Sequence, residues 1–307
     1  MATDDYAPEG GLWVGVDGSE HALRAVRWGA AAAAERAWPL VLVAVVKLPA
    51  MFFAEPAPAG LFEQELSRMA RKNLEDAEAL AREVATELGL GHDLYVTTLV
   101  RTGSAAQILR DASAGARMLV LGTRGHGELS GLLVGSVTRS VVAHALCPTV
   151  VIPAEFDRAD PARLEEAPVV VGVDGAPEGA AAIDMAFGEA AERGVALLVV
   201  NAWHDVTVGL DPGSEHQRSL QSYEEAVVAE RIAGFRDVYT DVAVEVRVRQ
   251  EKPVEALAAL SGQAQLLVVG TRGRGGFAGL LLGSTSAALL AHTRCPLMIV
   301  RSDADLP

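Results

Sequence analysis

The chain has 307 residues, half of them apolar, and a formal charge of −14, enough for two ordinary domains with buried cores. The acid excess argues against a nucleic-acid partner, because backbone binding needs clustered Lys and Arg. It leaves a single nucleotide open, since local N–H groups and a few arginines hold phosphate on an acidic protein. No stretch approaches the ~20 uninterrupted apolar residues of a bilayer span, and Met1-Ala2-Thr3-Asp4-Asp5 lacks the basic and apolar parts of a secretory signal. A cytoplasmic protein with no membrane partner is therefore expected.

Leu12-Trp13-Val14-Gly15-Val16 is an apolar run ending at Asp17-Gly18-Ser19, and an alanine-rich stretch from about Glu20 to Ala37 follows. This reads as strand, turn and helix, with Ser19 at the helix N-cap. Leu40 to Val46 is continuously apolar, as in a parallel strand covered on both faces. Pro49, Pro56, Pro58 and Gly60 mark residues 47–60 as a loop. From Leu66 to Leu88 apolar residues recur at helical spacing among charged neighbours, giving an amphipathic helix. Leu94, Val96, Thr98 and Val100 then alternate with Tyr95, Thr97, Leu99 and Arg101 at period two, the mark of a strand. Gly103-Ser104 opens a helix to about Ala114, with Ser104 as its N-cap. Met118 to Leu121 is a fourth strand, a helix runs from Ser136 to near His144, and Cys147-Pro148 introduces a last strand, Thr149 to Ile152. Alternation of this kind predicts an α/β fold, a parallel sheet with helices on both faces.

The charged, proline-containing stretch 153–167 reads as a linker, which gives a first domain at 1–155, a linker at 156–166 and a second domain at 167–307. Val169 to Gly175 then repeats the first strand and turn, and Leu197 to Ala202 the second strand. Helical spacing returns at Val228, Ile232, Phe235 and Tyr239, and Val242, Val244, Val246 and Val248 repeat the period-two strand. The offset between copies is 157 at Asp17 and Asp174 but 148 from the third strand on, so the first copy is nine residues longer in between. The extra length falls in the loop after the second strand or in the next helix, where insertions are tolerated. Cys147 and Cys295 hold equivalent places, each directly before a proline, and repetition explains them better than a disulfide.

Gly122-Thr123-Arg124-Gly125 follows the fourth strand, and nine residues further on comes Gly135-Ser136; Gly270-Thr271-Arg272-Gly273 and Gly283-Ser284 repeat that spacing. Such a turn suits phosphate. Glycine lets backbone N–H groups approach an anion closely, and a helix N-terminus adds more of them. Arg124, Arg272 and Arg274 offer a fork of donors, although loop arginines are common without a ligand. Ser136, Thr138, Ser284 and Ser286 offer hydroxyls to phosphate, but no histidine is placed to activate them as nucleophiles, so no catalytic residue is assigned. The GK[ST] ending of a P-loop is absent, as is an acidic magnesium ligand on a neighbouring strand. His144 and His292 stand three residues before the cysteines; one His and one Cys per copy are too few for zinc, and a place near a helix C-terminus suits the dipole. Asp17 and Asp174 either contact a ligand at the carboxyl end of the sheet or shape the Asp-Gly turn.

With Val16-Asp17-Gly18-Ser19 closing the first strand, the spacing G-x2-G-x9-G-S from Gly122 to Ser136, and Cys147-Pro148-Thr149-Val150-Val151-Ile152 ending the copy, each half resembles a universal stress protein domain. The whole chain resembles a tandem member of the family's ATP-binding branch. The resemblance implies two Rossmann-like, adenine nucleotide alpha hydrolase-like domains, each a five-stranded parallel sheet with helices on both faces. It implies ATP, with magnesium as an optional companion, at the carboxyl edge of each sheet, and a homodimer or intrachain pseudo-dimer formed through the last strand. The nucleotide-binding residues it marks in the first domain are Gly15, Asp17, Val45, Gly122, Arg124, Gly125, His126, Gly127, Gly135, Ser136 and Val137. In the second they are Gly172, Asp174, Ala202, Gly270, Arg272, Gly273, Arg274, Gly275, Gly283, Ser284 and Thr285. Two departures from the family pattern touch the adenine wall: Asn201-Ala202 replaces a bulkier branched residue, and Ala44-Val45 lacks the usual polar residue before the valine. The function implied is a regulatory or stress-response role. A slow ATPase or phosphoryl transferase, and a scaffold whose loops bind nothing, are its rivals.

Overall fold

The computed structural model describes residues 10–47, 59–91, 94–125, 134–156, 166–203, 215–273 and 281–302. The chain divides into two units, residues 1–154 and 155–307. Most of the expected linker, residues 157–165, lies outside the described residues.

The first unit runs β1 (Leu12–Gly15), α1 (Glu20–Glu35), β2 (Leu40–Val46), α2 (Ala59–Glu87), β3 (Val96–Thr102), α3 (Ala105–Ala112), β4 (Met118–Gly122), α4 (Ser136–His144) and β5 (Thr149–Ile152). Its strands lie in the order β3-β2-β1-β4-β5, all parallel, with Leu12 opposite both Leu40 and Met118. The second unit runs β6 (Val169–Val173), a 3-10 turn (Pro177–Gly179), α5 (Ala180–Arg193), β7 (Leu197–Trp203), α6 (Glu215–Val238), β8 (Val244–Gln250), α7 (Pro253–Ser261), β9 (Leu266–Gly270), α8 (Ser284–Leu289) and β10 (Leu297–Val300). Its order, β8-β7-β6-β9-β10, is the same and again all parallel. In each unit the first strand is central, and the chain moves from one side of it to the other between the third and fourth strands. Among the described residues no helix is long and apolar enough to cross a membrane.

Continuous apolar runs become strands covered on both faces: β4, beside the central β1, and β5 are buried along their whole length. Helix α1 lies close on the sheet because its inner face is small. Ala25 and Ala30 to Ala34 are buried, and a Cβ added to Gly29 would lie 2.8 Å from Val14. The outer strands form where the period-two pattern expects them, with uneven burial. Period two identifies β3 and β8 as strands, yet in β3 the buried residue is Leu99, on the phase opposite Val96, Thr98 and Val100. In β8 Val246 is 37% exposed. Both strands are sheet edges, so neither phase is fully covered. Helix α2 begins at Ala59, ahead of Leu66, and residues 48–58 of the expected loop lie outside the described residues.

The two expected N-caps part company. Ser19 Oγ accepts from the Ala22 N–H at 3.2 Å, whereas Ser104 occupies the cap position of α3 without a side-chain hydrogen bond. Ser19→Ala is therefore expected to cost about 1 kcal/mol, and Ser104→Ala less than about 0.5 kcal/mol. Urea denaturation of the two variants checks the contrast.

Cys147 and Cys295 are unpaired and buried, and burial pushes each thiol up to about 12. Both should therefore resist a disulfide-exchange reagent at pH 8 until denaturant is added, because the thiolate is the reactive form. Between the unfolded thiol pKa near 8.5 and the folded value, the native state binds more protons, so this contribution to stability is complete below about pH 8.5 and declines as pH rises. Urea midpoints measured from pH 8 to 10.5 should fall, and Cys295→Ala should flatten the slope.

Candidate functional site

In each unit the strand order reverses beside the first strand, so a crevice opens outside the carboxyl ends of β1 and β4, and of β6 and β9. An aspartate just past the first strand closes the turn there. Asp17 Oδ1 accepts from the Ser19 N–H at 3.0 Å and from the Ser19 hydroxyl at 2.6 Å. Gly18 sits at φ +83°, in the left-handed region that favours glycine, and Asn73 on α2 donates to the Asp17 carbonyl at 3.2 Å. The second unit repeats this. Asp174 Oδ1 accepts from the Ala176 N–H at 3.0 Å, Gly175 sits at φ +76°, and Arg231 on α6 donates to the Gly175 carbonyl at 3.0 Å.

The other carboxylate oxygen lies over the glycine loop. A Cβ built on Gly125 would overlap Asp17 Oδ2, and one on Gly273 would overlap Asp174 Oδ2, so only a bare Cα fits beneath each aspartate. The first loop glycine is confined by backbone instead: a Cβ on Gly122 would stand 2.6 Å from the His21 carbonyl oxygen. The loop ends are tied together. The Gly135 N–H donates to the Thr123 carbonyl, and the Gly283 N–H to the Thr271 carbonyl, each at 2.7 Å. Thr138 Oγ1 donates to the Gly122 carbonyl at 2.8 Å and Ser286 Oγ to the Gly270 carbonyl at 2.7 Å. These two hydroxyls pin a helix to a strand end, which corrects their expected role as phosphate donors.

Thr123 and Thr271 are buried, and neither Oγ1 has a hydrogen-bond partner among the described residues. An orphan hydroxyl costs about 1–3 kcal/mol, and here the cost is incurred twice at equivalent places. Gly135 and Gly283 are the N-caps of α4 and α8 and supply no side-chain acceptor, so an external anion has first-turn N–H groups to meet.

A cavity of about 220 Å³ opens beside the first loop, lined by Val45, Lys47, Gly103, Ser104, Ala105, Ala106, Ser136 and Val137. It gathers three of the residues expected from the sequence, Val45, Ser136 and Val137, and adds Lys47 and the Gly103–Ala106 turn, which sequence reasoning missed. Gly15 and Gly172 instead allow close packing: a Cβ on either would lie 2.8 Å from Leu121 or 2.7 Å from Leu257. His126, Gly127, Arg274 and Gly275 lie outside the described residues. His21 is a second omission. It sits in the first turn of α1, its Nδ1 is buried without a partner among the described residues, and burial, Arg24 and Arg124 hold its pKa down against Glu20 and Asp17.

The second unit matches the loop but not the base side. Ala202 stands on β7 opposite Arg249, as Val45 stands on β2 opposite Arg101, but beside it Asn201 is buried, donating to Glu224 Oε2 at 3.1 Å. Glu251-Lys252-Pro253 occupies the place of Gly103-Ser104-Ala105, with Lys252 paired to Glu255 at 2.9 Å. His144 and His292 each bond through Nδ1 to the carbonyl four residues back, at 2.8 and 2.7 Å, as a helix C-terminal role requires. Among the described residues no group of three or more His, Cys, Asp and Glu side chains converges on a metal position.

The universal stress protein family model matches this chain twice, at residues 12–153 and 167–301. A universal stress protein of Mycolicibacterium smegmatis is 38% identical over 296 residues, covering 96% of this chain and 98% of its own. One from Mycobacterium tuberculosis is 39% identical over 296 residues, covering 95% and 97%. In fold the chain is similar to a universal stress protein from Archaeoglobus fulgidus, with a TM-score of 0.67 at 18% identity over 96% of this chain and 97% of that one. With the family matched in both halves and relatives alike over nearly the full length, the chain belongs to the universal stress protein family as a tandem member.

Proposed function

We propose that each unit binds an adenine nucleotide, ATP, and that the chain acts in the cytosol as a regulator in stress response rather than as a catalyst. The observation that carries this reading is the duplicated cradle: an aspartate oxygen over a bare glycine, a buried threonine hydroxyl without a partner among the described residues, and a glycine-capped helix. In the first unit the base and ribose enter the cavity beside Val45, and the polyphosphate lies over the loop from Gly122 to Ser136, with Arg124 and Lys47 supplying positive charge. In the second, Asp174, Ala202 and the loop from Gly270 to Ser284 play the corresponding parts. The residues present fit such a ligand, because it brings anionic oxygens to N–H and O–H donors that lack side-chain acceptors.

Assembly through a last strand, β5 or β10, belongs to the same reading. Denaturing the purified protein and identifying the released nucleotide by chromatography tests the proposal at least cost. ATP or ADP in amounts comparable to the protein supports it. A preparation that releases none, and takes up none from millimolar ATP, argues for the non-binding scaffold.

A further inference from the structure

We propose that His21 makes nucleotide binding by the first unit proton-linked, its ring taking up a proton as the polyphosphate settles over the loop. The inference rests on the ATP reading above and adds a regulatory property that the second unit is not built to share. His21 stands in the first turn of α1. Its main chain and Cβ form the wall that Gly122 packs against, since a Cβ added to that glycine would lie 2.6 to 2.8 Å from the His21 carbonyl oxygen, carbonyl carbon and Cβ. The imidazole is thereby held where β4 gives way to the loop.

The ring is kept neutral by its surroundings. Its Nδ1 is buried with no hydrogen-bond partner among the described residues. A neutral imidazole tolerates this by carrying its proton on Nε2, whereas an imidazolium has an N–H on both nitrogens and the inner one finds no acceptor. Burial, then Arg24 on the same helix and Arg124 in the loop, hold the pKa below the ordinary histidine value, against Glu20 on the helix and Asp17 in the turn after β1. A place in the first turn of a helix acts in the same direction, because the positive end of the dipole disfavours a cation.

A polyphosphate over this loop reverses the balance. It offsets the charge of Arg124 and brings several anionic oxygens close to the ring, and nearby negative charge favours the protonated form. The second unit differs in sequence and in geometry. At the 157-residue offset His21 corresponds to Glu178 and Arg24 to Ala181. Glu178 is exposed, and a Cβ on Gly270 would meet only main-chain atoms of Arg272 within 4 Å among the described residues. No imidazole stands at that strand end. Because the ligand raises the His21 pKa, the gain in affinity is complete below the pKa of the free ring and is lost as pH rises through that of the bound ring. A rise of about one unit makes ATP affinity at the first site fall about tenfold between about pH 5 and pH 8.

Histidine-ring NMR of the full chain tests this, with the His21 signal identified by its loss in His21→Gln and titrated with and without saturating ATP. The ring should titrate below the ordinary histidine value in the free protein and at least about one unit higher with ATP bound. Titration calorimetry at about pH 7 in two buffers of different ionisation enthalpy should show proton uptake on ATP binding that shrinks in His21→Gln. A His21 pKa that does not move in a protein that binds ATP overturns the proposal and spares the nucleotide reading, whereas a folded chain that binds no ATP overturns both. If His21→Gln does not fold, the wild type in the two buffers decides, and a binding heat that is the same in each overturns the proposal.

Discussion

Gly122→Val is expected to destabilise the first unit by about 3 kcal/mol, at the upper end of overpacking costs. The reason is the identity of the obstructing atoms. A Cβ at this position would stand 2.6 Å from the carbonyl oxygen and 2.7 Å from the carbonyl carbon of His21. That backbone belongs to the first turn of α1, which Ser19 caps, so it cannot swing aside as a side-chain tip would. The second unit supplies an internal control, because a Cβ on Gly270 would come no closer than 3.2 Å, to the Arg272 carbonyl oxygen. Gly270→Val should accordingly cost less, about 1 kcal/mol. Urea denaturation followed by circular dichroism separates the two, and equal losses would mean that the strand-end glycines do not differ in this way.

Gly125→Val is expected to weaken ATP binding at the first site about a hundredfold, a loss of nearly 3 kcal/mol, with a smaller effect on folding. Here the obstructing group is Asp17 Oδ2, and its carboxylate is fixed by two hydrogen bonds to Ser19 through Oδ1. A valine must therefore displace the loop, which carries the donors proposed for the polyphosphate. Gly273→Val should act in the same way at the second site, where Asp174 Oδ2 covers the glycine. Titration calorimetry with ATP, paired with urea midpoints for each variant, separates a binding defect from a folding defect. Intact affinity in a folded Gly125→Val protein would remove the loop from the site.

Much of the fold was legible because a parallel strand covered on both faces has an unmistakable pattern. Leu40 to Val46 and Thr149 to Ile152 occupy the expected strands residue for residue, and helix α4 begins at Ser136 as its glycine cap implied. The sheet edges were harder. Period two in β3 announced a strand but not that Leu99 would be the residue to bury, since which phase is covered depends on neighbours outside the segment. A serine before a helix marks a boundary, yet whether its hydroxyl caps depends on rotamer and surroundings: Ser19 does and Ser104 does not.

The loop glycines could be read from spacing because backbone geometry demands them, while the aspartates and Val45 were marked by the resemblance to the universal stress protein family. Lys47 and Gly103 could not, since they come from separate segments and meet only when β2 and α3 are placed, nor could His21, which stands against Gly122 only once α1 is placed. Their signal was position: each stands just past a strand's carboxyl end or in the following helix's first turn, and so at the crevice. The hydroxyls of Thr138 and Ser286 were misassigned for the converse reason. A hydroxyl near a phosphate loop looks available until the strand-end carbonyl it serves is known.

The account rests on two nucleotide cradles within one chain, and the most direct measurement is the stoichiometry of ATP binding by titration calorimetry. The predicted result is two ATP per chain for the wild type, one for Gly125→Val and one for Gly273→Val, with all three proteins folded. A folded wild-type chain that binds no ATP at millimolar concentration, after any bound nucleotide has been stripped, would contradict it.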